Sequence, residues 1–201
     1  VYEKDWKILE LGSIMINEGK HQIKLASSSI EKKSVAELKS LIIEKNEINW
    51  GMVSKVLCGN KNYLKLILDL GIKEIHDSRI SNLKAIKSID PKVQTVYIKP
   101  PPKKSIKSLV KYADVSLNTE YDTIKMISEE AKIQNKVHKI IIMIEMGDLR
   151  EGVMGEDLIS FYSSIFKLPN ISVIGIGTNL NCLNGIMPTH DKMVQLSLYE
   201  Q

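Results

Sequence analysis

Aromatic side chains are scarce in this sequence, and positive charge is not concentrated in any part of it. Aromatics make up 5% of the 201 residues, and the 28 basic residues are interspersed with 24 acidic ones along the whole length. Proteins that bind nucleic acids usually combine clustered Lys and Arg with rings on which bases stack. The composition therefore predicts no nucleic-acid partner.

Cysteine is nearly absent as well. Cys58 and Cys182 lie far apart, and neither belongs to a CxxC pair or to a Cys/His cluster. Zinc sites usually show such spacings in the sequence, so we expect no metal site.

Long apolar runs are also missing. The longest, Ile140 to Ile144, is far shorter than the about 20 residues that a membrane-spanning helix needs. No stretch resembles a signal peptide. We therefore expect a cytoplasmic protein with no membrane partner, and the 43% hydrophobic content is ample for one globular core.

Strand and helix signals alternate along the chain after about residue 20. Runs rich in β-branched residues predict six strands, at 48–56, 73–77, 93–99, 113–118, 138–145 and 171–178. Helical periodicity predicts helices at 27–45, 60–71, 78–88, 104–112, 119–135, 156–168 and 190–200. Apolar strands that begin about 20 to 30 residues apart are typical of parallel βαβ units, so the predicted fold class is α/β.

The periodicity leaves two α/β architectures open, an open doubly wound sheet and a (β/α)8 barrel. The segment GIGTNL has Leu180 where the dinucleotide fingerprint G-x-G-x-x-G needs its third glycine, and no P-loop motif is present. A barrel usually takes about 250 residues, whereas this sequence accounts for about six βα units.

Polar residues collect directly after the predicted strands. Five such segments are Lys55–Asn60, His76–Arg79, Asn118–Glu120, Glu145–Gly152 and Gly177–Asn179. Because the carboxyl ends of parallel strands meet on one side of an α/β fold, these segments predict a small-molecule site there.

Each candidate residue also has a structural interpretation. Taken alone, Lys55 is more often explained as a strand-end lysine with its ammonium in water, and Asp77 with Ser78 as the cap of the following helix. Arg150 has Asp148 and Glu151 as close ion-pair partners in sequence. Thr178 and Asn179 suit a turn.

The functional interpretation of Lys55 rests on the chemistry of imines. An amine that condenses with an aldehyde must be available in its neutral form, and a desolvated site disfavours the ammonium. A cation nearby, such as Arg150, acts in the same direction. We therefore expect Lys55 to be desolvated at the mouth of the barrel and able to form a Schiff base with an aldehyde cofactor.

Several motifs together resemble the alanine/ornithine racemase family, which consists of pyridoxal 5'-phosphate (PLP) enzymes with a fold-type III barrel. The motifs are MVSKVLCGN, HDSRISNLKAIKSID, LNTEYDTIKMISEEA, KVHKIIIMIEMGDLREGV and VIGIGTNLNC. The resemblance covers roughly residues 23 to 201. It implies an incomplete (β/α)8 TIM-type barrel over 21–201, without the family's C-terminal β domain, after a segment 1–20 of unknown role.

The resemblance also implies roles for individual residues. Lys55 matches the lysine that holds PLP and acts as a base on one face of the substrate α-carbon. Arg150 matches an arginine near the cofactor's phenolic oxygen, and Thr178 and Asn179 fall near its ring. Asp77 and Ser78 are expected on the rim of the site.

The implied function is PLP-dependent racemisation of an amino acid through a Schiff-base carbanion, in a homodimer. The family's second acid/base group is generally a tyrosine from the C-terminal domain of the neighbouring subunit. Since that domain is missing from these 201 residues, we expect this chain alone to retain PLP weakly and to show little activity. The alternative implied function is a non-catalytic PLP-binding protein that buffers or delivers the cofactor.

Overall fold

The computed structural model describes residues 8–16, 19–26, 50–180 and 184–201. The chain divides into two compact units, residues 1–50 and 51–201. In the first unit, strands β1 (Ile8–Ile16) and β2 (Gly19–Ala26) pair as an antiparallel hairpin. The predicted domain boundary near residue 20 falls inside this hairpin and stays a prediction, and the predicted helix 27–45 lies outside the described residues.

The second unit alternates strands and helices as predicted. Its strands are β3 (Met52–Val53), β4 (Glu74–Asp77), β5 (Gln94–Tyr97), β6 (Val115–Asn118), β7 (His138–Ile144) and β8 (Ile171–Thr178). Its helices are α1 (Lys61–Asp69), α2 (Ile80–Ile89), α3 (Ile106–Tyr112), α4 (Tyr121–Ile133), α5 (Leu158–Ile165) and α6 (His190–Glu200). Strand β3 is shorter than the predicted 48–56. No described helix has the length and apolar character needed to cross a bilayer.

Strand order distinguishes between the two predicted architectures. The six strands of the second unit are parallel and hydrogen-bonded in chain order, from β3 at one edge to β8 at the other. A doubly wound sheet reverses its strand order at a switch point, and this sheet does not. The arrangement is that of an incomplete (β/α)8 barrel.

Alternate residues of β7 face two different layers. Ile140, Ile142 and Ile144 are fully buried in a cluster that includes Ile124 of α4 and Leu158 of α5. The intervening residues of β7 face the inside of the barrel, because successive side chains of a strand point to opposite faces. The barrel interior near the strand ends is where the polar candidates were expected.

Candidate functional site

A cavity of about 300 Å³ lies inside the barrel, towards the carboxyl ends of the strands. We call it the strand-end cavity. Its apolar lining is formed by Ile98, Leu117, Ile141, Met143 and Ile176. Its polar lining is formed by His76, Arg150, Thr178 and Asn179, beside Gly177. The volume is at the lower end of that of small-molecule sites. Three of the predicted site residues, Arg150, Thr178 and Asn179, therefore come together here.

Thr178 presents a buried hydroxyl with an unused hydrogen-bonding capacity. Its Oγ1 has no hydrogen-bond partner among the residues that the structure describes. A buried hydroxyl without a partner costs free energy in the unliganded protein. Because Thr178 lines the cavity, a polar group of a ligand is the natural partner for this oxygen.

Arg150 and Asn179 are connected through Glu151. The Arg150 Nε donates to Glu151 Oε2 at 2.9 Å, and the Asn179 Nδ2 donates to Glu151 Oε1 at 3.2 Å. Arg150 therefore forms the ion pair that its structural interpretation predicted, and its side chain also lines the cavity. Glu151 was considered in the sequence only as a partner of Arg150, and its contact with Asn179 was missed.

The loop that carries Arg150 returns to the strand from which it leaves. Val153 pairs with Ile144 as an isolated bridge, with Val153 N donating to Met143 O at 2.7 Å and Glu145 N donating to Val153 O at 3.0 Å. The Glu145 carboxylate closes the first half of the loop by accepting from Gly147 N and Leu149 N. The loop is therefore anchored at both ends.

Lys55 lies in a short 3-10 turn, Lys55–Leu57, directly after β3. Its side chain is exposed and is not part of the strand-end cavity. The expectation of a desolvated lysine is therefore wrong for the described chain. The physical reason is that β3 is an edge strand of the six-stranded sheet, so no strand of that sheet covers the far side of Lys55.

The turn at Lys55 is nevertheless fixed from several sides. Ser54 N donates to His76 O at 2.8 Å, which ties the residue before Lys55 to β4. Asn60 caps the following helix α1, because its side chain accepts from Asn62 N at 3.0 Å and Tyr63 N at 3.4 Å. The backbone of Lys55 thus has a defined position at the carboxyl edge of the sheet.

Asp77 is fully buried and serves as a junction between elements. Its carboxylate accepts from Ser54 Oγ at 2.8 Å, Arg79 N at 2.9 Å and Asn82 Nδ2 at 3.1 Å. Burial, and then the charge of Asp77, raise the pKa of Tyr97 to about 12. The predicted helix cap by Asp77 and Ser78 is wrong, since α2 begins after Arg79 without a side-chain cap; Asp77 is instead a structural junction, and its predicted contact with a cofactor stays a prediction. Ser78 is half-buried, and its predicted role also stays a prediction.

His76 lines the cavity, although the sequence placed it only in the strand-end segment 76–79 and predicted no role for it. Its Nε2 lies 2.6 Å from Glu74 Oε1, and Glu74 Oε2 accepts from Gln94 Nε2 at 2.6 Å. A Cβ at Gly51 would lie 2.3 Å from the His76 Nε2, so this position of the ring depends on a glycine there. The alternation of β4, with Glu74 and His76 on one face, could have indicated this pair.

Metal binding has no support in the described ranges. Across 8–16, 19–26, 50–180 and 184–201, no group of three or more His, Cys, Asp or Glu side chains is placed to hold an ion.

Comparisons with known proteins were made for the whole sequence. The family model described as alanine racemase, N-terminal domain, matches residues 51–199. An ornithine racemase from Acetoanaerobium sticklandii is 39% identical over 156 residues, which is 77% of this chain and 44% of the relative. The chain therefore spans less than half the length of that relative.

Solved structures show the same fold at low sequence identity. An alanine racemase from Clostridium difficile 630 superposes with a TM-score of 0.69 at 16% identity, covering 83% of this chain and 44% of the other. PipY from Synechococcus elongatus PCC7942 superposes with a TM-score of 0.70 at 13% identity, covering 84% and 79%.

Proposed function

The chain belongs to the alanine racemase N-terminal domain family, and on that premise we propose that it is the cofactor-binding barrel of a PLP-dependent amino-acid racemase. The observation that carries the proposal is the strand-end cavity. It combines an apolar lining, the Arg150 guanidinium, the Asn179 amide and a Thr178 hydroxyl that has no partner among the described residues. The identity to an ornithine racemase supports the same class of reaction.

The cavity residues suit a flat ring with polar substituents. The apolar side chains offer a surface for the ring, while Thr178 and Arg150 offer a hydroxyl and a guanidinium for its oxygen atoms. We propose that Lys55 attaches the cofactor covalently, because its turn follows the first barrel strand at the carboxyl ends of the strands, where the cavity also lies, and that the bound cofactor covers its side chain, which is exposed in the unliganded chain. Bound PLP supplies an electron sink for the negative charge that remains when the α-proton leaves.

Racemisation requires one proton to leave one face of the α-carbon and another to arrive at the opposite face. Two acid/base groups are therefore needed. We assign one role to the amine of Lys55, and we propose that the other group comes from the neighbouring subunit of a homodimer. Arg150 would bind negative charge on the cofactor or the substrate, which a guanidinium does well through paired N–H groups.

The proposed substrate class is an α-amino acid of the ornithine or alanine type. The relative at 39% identity is an ornithine racemase, which favours ornithine as the first compound to test. We further propose that the protein acts in the cytoplasm.

The test is a racemisation assay. The protein that contains this chain is incubated with PLP and single enantiomers of ornithine, lysine and alanine, and the enantiomers are separated by chiral chromatography. We expect conversion of at least one amino acid. Arg150→Ala should abolish it with an unchanged circular-dichroism spectrum, and the exposed control Lys125→Ala should retain it.

The second candidate function is a PLP-binding protein without turnover. The observation that favours it is the shared fold with PipY, which has also been solved with PLP bound and superposes in that form with a TM-score of 0.69. Covalent PLP binding without conversion of any amino acid would support this candidate and contradict the racemase. Absence of PLP binding would contradict both.

A further inference from the structure

Glu151 lies between two of the polar groups of the strand-end cavity, and each of its carboxylate oxygens has its own donor. Oε2 accepts from Arg150 Nε at 2.9 Å, and Oε1 accepts from Asn179 Nδ2 at 3.2 Å. The Glu151 side chain is only 13% exposed. We propose that Glu151 is a positioning residue, which acts on the cofactor through Arg150 and Asn179 and does not touch it itself.

The contact with Asn179 fixes the orientation of an amide. Because Nδ2 donates to Glu151, the amide oxygen is the Asn179 atom that is not committed to this carboxylate. The assignment of nitrogen and oxygen follows from the hydrogen bond, since a carboxylate accepts and does not donate. In this proposal the Asn179 amide oxygen serves the cavity as the hydrogen-bond acceptor, which suits a ligand group that carries a proton.

The contact with Arg150 fixes the plane of a guanidinium. A bond at Nε constrains the whole planar group, because its three nitrogens move together. The Glu151 carboxylate also neutralises the positive charge of Arg150. Both side chains are partly buried, so salt in the solvent screens this ion pair less than it would a pair at the surface. Removing Glu151 would leave Arg150 less restrained and would free the Asn179 amide to turn.

The backbone beside Glu151 is held in place by the return of the loop. A Cβ at Gly152 would lie 2.2 Å from Glu145 N, so only glycine allows this close approach. The next residue, Val153, is hydrogen-bonded to Met143 O at 2.7 Å. Glu151 is therefore presented from a fixed segment, and it connects the loop after β7 with the end of β8.

A simple structural ion pair is the competing explanation, and energetic coupling separates the two. If Glu151 acts on the cofactor only through its partners, its effect on PLP binding should be smaller once Arg150 is already removed, because only the contact with Asn179 then remains. If Glu151 only stabilises the fold, its removal should lower the unfolding temperature and should affect PLP binding independently of Arg150.

The experiment is a double-mutant cycle on PLP affinity, measured by absorbance titration, and it rests on the proposed function. We expect Glu151→Ala to raise the Kd for PLP about tenfold. Converted to free energy, this change lies in the middle of the range of interaction energies between residues of one contact network. Adding Glu151→Ala to Arg150→Ala should raise the Kd clearly less than tenfold, and adding it to a variant that carries both Arg150→Ala and Asn179→Ala should cause little further change. The exposed control Glu156→Ala should leave the Kd unchanged. Glu151→Gln keeps the shape of the side chain and one acceptor oxygen, so its Kd should lie between those of the wild type and Glu151→Ala. If Glu151→Ala does not fold, Glu151→Gln takes its place in the cycle.

A second readout requires no activity. In ¹H–¹⁵N spectra, the Asn179 side-chain amide should shift in Glu151→Gln, with the unfolding temperature changed by no more than a few degrees. Equal Kd values for wild type and Glu151→Ala, or additive effects in the double variant, would overturn the positioning role alone. A wild-type protein that does not bind PLP would overturn the proposed function and this inference with it.

Discussion

The Ser54 hydroxyl donates to the Asp77 carboxylate at 2.8 Å, and this bond joins the residue before Lys55 to the end of the neighbouring strand. Asp77 is 0% exposed and also accepts from Arg79 N and Asn82 Nδ2. One buried carboxylate thus connects β3, β4 and α2. The position of the Lys55 turn depends on a residue that does not line the strand-end cavity.

Replacement of Asp77 should therefore destabilise the whole second unit. Asp77→Ala leaves the Arg79 amide and the Asn82 amide group without their acceptor, and the Ser54 hydroxyl keeps only its longer contact with His76 O at 3.3 Å. We expect a loss of about 2–3 kcal/mol in the free energy of unfolding, as for removal of a charged hydrogen-bond partner. Urea denaturation measures it. Asp69→Ala, at an exposed position of α1, should change the value by less than about 0.5 kcal/mol. Equal stabilities of the two variants would contradict this role.

Thr178→Val should have opposite effects on stability and on cofactor binding. The valine keeps the shape but removes the hydroxyl oxygen that has no partner among the described residues. We expect a gain of about 1 kcal/mol in the stability of the unliganded protein, since a buried hydroxyl without a partner is unfavourable. The affinity for PLP should fall, because the proposed ligand loses a polar contact.

Thr123→Val is the matched control for this prediction. The buried Thr123 hydroxyl already donates to Glu120 Oε2 at 3.0 Å, so its removal should cost about 1 kcal/mol and leave PLP affinity unchanged. Thermal unfolding with and without PLP measures both variants. A Thr178→Val protein that is less stable than wild type would show that the hydroxyl has a partner in the unliganded state.

His138 should make stability fall as the pH is lowered. Its imidazole is buried, with Nε2 2.9 Å from Ser116 Oγ. Burial lowers the pKa of His138 from 6.5 to about 4, against the opposing charge of Asp114 and with a smaller lowering by Lys136. Above pH 6.5 the residue is neutral in both states. Between 6.5 and about 4 the unfolded chain binds a proton that the folded protein does not, so stability decreases as pH falls.

The expected loss from His138 between pH 7 and pH 5 is about 2 kcal/mol. Urea denaturation at the two pH values measures it. In His138→Gln this part of the pH dependence should disappear, whereas His190→Gln, at an exposed position, should retain it. The same pH dependence in wild type and His138→Gln would contradict the assignment.

The sequence predicted the strands and helices of the second unit well, because local patterns determine them. The apolar run 138–145 fits β7 almost residue for residue, and Gly71, at φ +85°, which ends the predicted helix 60–71, lies two residues after the end of α1. Arg150, Thr178 and Asn179 met in one cavity because the carboxyl ends of parallel strands converge.

The missed features depend on tertiary context. The exposure of Lys55 follows from the edge position of β3, which no local pattern reports. The contact of Glu151 with Asn179 spans 28 residues and depends on the return of the loop at Gly152. The contact of Glu74 with His76 could be expected from the alternation of β4, but its place in the cavity required knowing which face of β4 points into the barrel.

Covalent labelling of Lys55 tests the central claim most directly. The protein is incubated with PLP, reduced with borohydride, digested and mapped by mass spectrometry. Lys61 is a matched control, since it is a second exposed lysine six positions along the chain. The label is expected on Lys55 in the wild type and in Lys61→Ala, and it should be lost in Lys55→Ala. Label distributed over the surface lysines, or unchanged labelling in Lys55→Ala, would contradict the account.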